Sequence, residues 1–340
     1  MTELEISAGS RVYPVHIERN SLSNVGELFS LDRKALILSD DMIPTEYIEK
    51  VTCSAKEAHT VVLPHGESAK SPENYLLIIK TMLDLGFDRG DALVAVGGGV
   101  VCDIGGFVAA TYMRGIDFYT VPTSLLAQVD ASVGGKVAID FCGYKNAVGT
   151  FYQPSAVIVD TELLKTLPEH EFSAGMAEVI KTFAITDRET FEKLENATDI
   201  KNPELIDEIV FRALKIKKKF VEQDEKDTGV RAALNFGHTV GHAVESVCKD
   251  MLHGECVGVG MLALTEGDVQ RRIKNLLENY SLPTCAVCKE TEFVNALTHD
   301  KKSIGDSINT VRVREIGKYE FQKSSASDIL NESREVIKFI

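Results

Sequence analysis

The sequence predicts an α/β protein: an N-terminal Rossmann-like, doubly wound parallel sheet over residues 1–167, then a mainly α-helical C-terminal domain over residues 168–340. Three observations predict it. Short apolar runs alternate with helical patterns through the first half, as buried parallel strands joined by crossover helices require. One run leads straight into Gly97-Gly98-Gly99, a turn that lets backbone approach a bound anion. After Leu167-Pro168, proline and glycine become sparse and long 3.6-period segments take over.

The strands follow in order. Ala35-Leu36-Ile37-Leu38-Ser39-Asp40 is an apolar run ending in polar residues, and Thr60-Val61-Val62-Leu63-Pro64 is a second. A helical pattern starts at Pro72-Glu73-Asn74-Tyr75. Ala92-Leu93-Val94-Ala95-Val96 is the third strand, with Phe118-Tyr119-Thr120-Val121-Pro122 and Ala156-Val157-Ile158-Val159-Asp160 completing the set. In the second half, Leu205 to Val221 is the clearest helix. Its run Lys215-Ile216-Lys217-Lys218-Lys219 reads as a solvated face from which one lysine can point inward. No internal repeat and no low-complexity stretch interrupts the pattern.

Composition narrows the function. A chain of 340 residues exceeds what one core usually organises, so two domains sharing a cleft are expected. The net charge of −14, with no long basic block, argues against non-specific nucleic-acid binding. An anionic substrate would need local cations inside a cleft. The first residues lack a basic and an apolar signal region, and no stretch approaches eighteen apolar residues, so neither secretion nor a membrane partner is expected. Seven scattered cysteines suit reduced thiols in a cytoplasm, and the lone Cys285-Ala286-Val287-Cys288 pair reads as incidental.

Three of the eight histidines fall within sixteen positions, in Leu234-Asn235-Phe236-Gly237-His238-Thr239-Val240-Gly241-His242 and His253-Gly254-Glu255. His238 and His242 share a helix face. With His253 at a neighbouring helix start, and a carboxylate such as Glu178, they suit a divalent metal site. The plainer alternative is one core histidine and two on a polar face. Gly97-Gly98-Gly99-Val100-Val101-Cys102-Asp103 suits a dinucleotide pyrophosphate, although it is not G-x-G-x-x-G. Within Gly66-Glu67-Ser68-Ala69-Lys70 the carboxylate could take ribose hydroxyls and the lysine phosphate. Gly134-Gly135-Lys136 and Lys145-Asn146 form a plausible anion cradle, too rich in apolar neighbours for a surface loop. Asp224 to Asp227 reads as an acidic surface turn.

Together these motifs resemble the 3-dehydroquinate synthase family, in the family's order and spacing, over about residues 35 to 305. The resemblance rests on Gly97-Gly98-Gly99-x3-Asp103, Pro122 to Asp130, Val133-Gly134-Gly135-Lys136, Lys145-Asn146, Phe151-Tyr152-Gln153-Pro154, Gly175 to Lys181, Leu234 to His238 and His253-Gly254-Glu255. It implies conversion of 3-deoxy-D-arabino-heptulosonate 7-phosphate to 3-dehydroquinate with loss of phosphate. NAD would oxidise a ring hydroxyl transiently, phosphate would leave, hydride would return, and an intramolecular aldol step would close the carbocycle.

The resemblance also implies roles. Glu178, His238 and His253 would be the protein ligands of one divalent metal, zinc or cobalt, and His242 would face substrate. NAD would contact Asp40, Glu67, Lys70, Gly98, Gly99, Val100, Asp103, Thr123, Ser124, Asp130, Lys136, Lys145, Leu163 and Thr166. Lys136, Asn146, Arg114 and one of Lys301 or Lys302 would meet the substrate phosphate. Lys181, Lys217, Arg231, Asn235 and His242 would meet the sugar acid. A cytoplasmic homodimer is the implied assembly, with Arg114 reaching the partner's phosphate. The chain departs from the family pattern at Tyr144, where Gly is usual, at His170-Glu171, where Arg-Glu is common, and at Val137, which follows Lys136. Two enzyme alternatives share the fold: another sugar-phosphate cyclase, and a metal-dependent polyol dehydrogenase of the glycerol type. A catalytically silent NAD or metal sensor would not need these cations.

Overall fold

The protein is described by a computed structural model covering residues 2–9, 11–299 and 307–340; Lys301 and Lys302 lie outside the described residues. The chain forms two compact units: Met1–Leu167 with Lys217–Lys226, and Pro168–Ile216 with Asp227–Ile340. Residues 217–226, read from sequence as part of the helical half, thus pack with the first unit.

The first unit is built on a seven-stranded sheet. Its strands are β1 (Thr2–Ala8), β2 (Arg11–Ile17), β3 (Lys34–Asp40), β4 (Glu57–Leu63), β5 (Ala92–Gly97), β6 (Asp117–Pro122) and, after a hairpin of β7 (Lys136–Phe141) and β8 (Tyr144–Phe151), β9 (Ala156–Val159). The sheet order is β1-β2-β9-β6-β5-β3-β4. All pairings are parallel except β1 with β2. Every residue of β5 and β9 is buried, which is why both read as unbroken apolar runs. Helices α1 (Thr45–Thr52), α2 (Pro72–Asp84) and α3 (Gly99–Thr111) supply the crossovers. Ser71 caps α2 by accepting from the Asn74 N–H, and Pro72 suits the first turn, where an N–H has no intrahelical partner.

The chain leaves β3, forms β4 on one side, then returns to form β5 on the other. The order therefore reverses between β3 and β5, and in open α/β sheets ligands bind outside the carboxyl ends of strands at such a point. Asp40 ends β3 and Gly97 ends β5 at that place. The segment 136–151 departs from expectation. It is a surface hairpin: β7 turns Val137, Ala138 and Ile139 inward, while every residue of β8 is exposed.

The second unit is mainly helical, with α4 (Glu169–Thr186), most of α5 (Pro203–Gln223), α6 (His238–Val247), α7 (His253–Ala263), α8 (Gly267–Asn279) and α9 (Glu290–His299). It also holds strands the sequence reading did not separate. Short β10 (Ala286–Cys288) pairs in parallel with β13 (Ile337–Phe339), and β11 (Ser307–Glu315) forms a hairpin with β12 (Lys318–Ser325). Ser325 caps the helix that follows, α10 (Ala326–Ser333).

Candidate functional site

In the second unit, α7 packs against both α4 and α6 with backbone nearly touching backbone. A Cβ added at Gly254 would lie 1.9 Å from the Ala174 carbonyl oxygen, and one at Gly260 would lie 2.0 Å from that of Gly237. Only glycine allows such approach, and it decides which side chains meet. Glu178 from α4, His238 at the start of α6 and His253 at the start of α7 place their ligand atoms within 4.8 Å of one another.

Glu178 is 1% exposed, and its Oε1 has no hydrogen-bond partner. That oxygen lies 3.7 Å from His238 Nε2 and 3.6 Å from His253 Nε2, too far for good hydrogen bonds to either. Both rings turn their other nitrogen elsewhere: His238 Nδ1 lies 3.2 Å from the Phe236 carbonyl, and His253 Nδ1 lies 3.3 Å from Glu245 Oε2. One carboxylate oxygen and two imidazole nitrogens converging on one point make a donor set that fits a divalent cation. A buried carboxylate oxygen without a partner is otherwise costly. On the other side of the carboxylate, Lys181, one helical turn along α4, pairs with Glu178 Oε2 and is 2% exposed.

Electrostatics follow from this packing. Burial works to raise the Glu178 carboxyl, but the Lys181 ammonium, then His238 and His253, outweigh it and hold it well below the usual carboxylate range. Burial, reinforced by the Lys181 charge, holds His238 well below the ordinary imidazole value. At His253 burial also opposes the charge, yet Glu178 and Glu245 win and push it up to about 10. A metal would displace that proton, because a ligating imidazole must be neutral.

The His242 ring stands 5.2 Å from His238 and 5.9 Å from His253 between centroids. Arg231 is buried and Asn235 half-buried in the 3-10 turn just before α6. The sequence reading missed Glu245. It lies seven residues after His238 and three after His242, on the stripe both occupy, and that spacing was the available signal.

In the first unit the carboxyl ends of β3, β5 and β6 gather the nucleotide candidates. Gly98 caps α3 with no side-chain bond, so the first N–H groups of the helix remain available to an anion. Thr123 is buried and donates its N–H to the Gly97 carbonyl; Ser124 Oγ accepts from Ala127. Asp40 accepts from the Met42 N–H, and burial raises its carboxyl above the usual range. Leu163 is buried, and Thr166 bonds Tyr47 at 3.2 Å.

Lys70, which the sequence offers as a phosphate ligand, is engaged within the protein. It is 3% exposed, donates to Asp103 at 2.8 Å and also bonds Asn146. Burial opposes its charge, but Asp103 and then Glu67 prevail and hold the ammonium above its usual value. The β7–β8 hairpin delivers Asn146 to Lys70, and Lys145 to within 3.8 Å of Glu67. Of the 215–219 run, Lys217 alone is buried, and it pairs with Asp130. Lys136 is exposed at the start of β7. Arg114 is exposed after α3 in the left-handed region, at φ 69°.

Other sequence motifs stay apart from these groups. None of the seven cysteines is in a disulfide; Cys285 is exposed and Cys288 buried. The 224–227 turn is half-buried rather than fully solvated, and its Glu225 accepts from Gln153 at 3.1 Å.

Comparison with known proteins places this geometry in context. Residues 60–174 match the family described as 3-dehydroquinate synthase N-terminal, and residues 175–303 match 3-dehydroquinate synthase C-terminal. A 3-dehydroquinate synthase of Thermodesulfovibrio yellowstonii is 39% identical, covering 98% of this chain and all of its own. A solved 2-deoxy-scyllo-inosose synthase, complexed with carbaglucose-6-phosphate, NAD+ and Co2+, is similar with a TM-score of 0.88 at 24% identity, covering 98% of this chain and 100% of that one. A 2-epi-5-epi-valiolone synthase from Streptomyces hygroscopicus, with NAD+ and Zn2+ bound, also gives 0.88, at 25% identity over 98% of this chain and 99% of its own.

Proposed function

The chain belongs to the 3-dehydroquinate synthase family, and on that premise we propose how its residues divide the reaction among themselves. The reaction is conversion of 3-deoxy-D-arabino-heptulosonate 7-phosphate to 3-dehydroquinate and phosphate, a lyase step of the shikimate route to the aromatic amino acids. Glu178, His238 and His253 would hold one divalent ion, zinc or cobalt, and the groups around the β3–β5 switch point would hold NAD. When bound, these groups supply a Lewis acid and a reversible hydride acceptor at the ring hydroxyl to be oxidised.

The chain's own residues do the rest. Gly98, Gly99 and Val100 offer the pyrophosphate the helix start; Asp40, Glu67, Asp103, Thr123, Ser124, Asp130, Lys145, Leu163 and Thr166 line the same end of the sheet. Lys70 braces this end, holding Asp103 and Asn146 in place. Lys181, Lys217, Arg231, Asn235 and His242 bind the carboxylate and hydroxyls of the sugar acid. Lys136, Asn146, Arg114 and one of Lys301 or Lys302 bind the phosphate. As its C–O bond breaks, charge grows on the leaving oxygen, and fixed cations stabilise that charge more than the ground state. Local cations also reconcile a substrate carrying both a carboxylate and a phosphate with a chain of net charge −14.

The observation that carries this reading is the unpartnered Glu178 Oε1 facing two imidazole Nε2 atoms. Among the described residues no helix is long and apolar enough to cross a membrane. A cytoplasmic homodimer belongs to the same proposal, with Arg114 gripping the phosphate held by a second copy through its planar fork.

Incubation with the heptulosonate phosphate, NAD and zinc should release phosphate one-for-one with dehydroquinate, with no net NADH. Stoichiometric NADH would instead favour a polyol dehydrogenase, and a different carbocycle another cyclase. Mixing Arg114→Ala with Lys136→Ala should restore part of the activity. Confirmed mixed dimers without recovery would return Arg114 to its own subunit's site.

A further inference from the structure

We propose that Glu245 is the positioning residue of the candidate metal centre: it fixes the His253 ring so that Nε2, rather than Nδ1, faces Glu178. The proposal rests on the ligand set Glu178, His238 and His253 given above. Two carboxylates address opposite nitrogens of one ring. Glu245 Oε2 lies 3.3 Å from Nδ1, while Glu178 Oε1 lies 3.6 Å from Nε2. An imidazole can be flipped about its Cβ–Cγ bond at little cost, so something must hold it with the correct edge inward. His238 solves the same problem with a neutral acceptor, the Phe236 carbonyl at 3.2 Å.

The two imidazoles differ in how much help they need. His238 is 12% exposed in its side chain and starts α6, where the preceding turn clamps it. His253 starts α7 with its side chain 34% exposed, so packing holds it less. Glu245 is itself only 11% exposed and comes from α6, so it ties the first residue of α7 to the neighbouring helix. A carboxylate on the far nitrogen also makes the imidazole a stronger donor to a metal, because it supports the Nδ1–H tautomer. His242, Glu245 and His253 also bring ligand atoms within 4.8 Å of one another, so Glu245 as a direct ligand is the competing assignment.

Zinc titration of the metal-free full chain against a chromophoric chelator tests this, with cobalt substitution as the spectroscopic probe. Glu245→Ala should weaken zinc binding about 10–100-fold without abolishing one-to-one stoichiometry. The Co(II) d–d bands should shift as the ring loosens. Glu245→Gln, which retains an acceptor oxygen, should recover most of the affinity and the wild-type bands. NAD affinity should not move in either variant. If the alanine variant does not fold, Glu245→Asp replaces it, since a carboxylate one methylene short cannot reach Nδ1 and must weaken zinc binding.

Wild-type affinity and bands in the alanine or aspartate variant would overturn the proposal. So would complete metal loss in both Ala and Gln variants, matching His238→Ala, because Glu245 would then be a ligand. A wild-type chain that takes up no zinc would overturn the ligand set beneath it. Zinc lost in His238→Ala but untouched by every Glu245 variant would overturn the positioning role alone.

Discussion

Glycine serves opposite ends in the two units. At Gly98 an added Cβ would come no closer than 3.5 Å to anything, with Ser124 Oγ nearest, and at Gly99 no closer than 3.4 Å. Gly98 has φ −74°, open to any residue. The folded chain therefore has room for alanine at these positions, and the space lies above the first N–H groups of α3. At Gly254 and Gly260 that space is filled by carbonyl oxygens of neighbouring helices. A glycine that packing does not need leaves room for a ligand to approach. One that packing does need sets helix spacing, and a site made of side chains then depends on it indirectly.

The sharpest break between the two kinds of site is His238→Ala. It should cut activity on the order of a thousandfold, roughly 4 kcal/mol, and abolish metal uptake while NAD binding stays unchanged. His242→Ala should keep its metal and lose mainly activity. Metal analysis of the pair decides, and equal metal loss in both would remove the distinction between ligand and substrate-facing histidine.

Next in size, Gly254→Ala must push α7 away from α4, at a cost of about 3 kcal/mol. Thermal melting and metal content should fall together. An unchanged melt would mean that the helices can separate freely and that glycine there does not set the site.

Gly98→Ala is the counterpart in the first unit. Its melting should stay within about 0.5 kcal/mol of wild type. Its NAD affinity should nevertheless fall about tenfold, about 1.4 kcal/mol. Isothermal titration and melting on one sample separate these effects, and a destabilised variant with intact NAD affinity would reverse the comparison.

Smallest is replacement of Cys285 and Cys288 by Ser, which should hold activity and metal content within about tenfold, or 1.4 kcal/mol, of wild type. A larger drop would give the second unit a thiol-dependent feature that its helix packing does not explain.

What could be read in advance follows the same division. β3, β5 and β9 are buried on both faces, so their sequences are continuous apolar runs and stand out. The β1–β2 hairpin went unread because its signal is alternation. Ile6, Ala8, Tyr13 and Val15 are buried while Ser7, Val12 and Pro14 beside them are wholly or partly exposed, and only at His16 does the alternation give way. The β11–β12 hairpin, around Gly317, was missed within a half read as helical for the same reason. Glu178, His238 and His253 were legible as residue types, since few other groups bind a divalent ion. Their convergence was not, because it depends on α7 packing at Gly254 against Ala174 of α4, a helix far away in sequence. Lys70 shows the limit most plainly: its charge was visible in the sequence, but its burial against Asp103 is a property of the fold.

The hairpin 136–151 is inserted between β6 and β9, two strands that already pair directly with one another. Its two strands bond to each other as a separate sheet, so no ladder of the main sheet passes through it. Val137, Ala138 and Ile139 anchor it inward, with Gly106 of α3 leaving the room for Val137, and the Asp140 N–H and Asn146 side chain tie it to Lys70. In evolutionary terms it is an interchangeable cassette. Mutation can redraw the outer strand, which carries Lys145 and Asn146, without disturbing the register of any structural strand. A lineage could thus vary this strand while inheriting the same sheet unchanged, and a protein engineer could graft a relative's hairpin at the same two junctions.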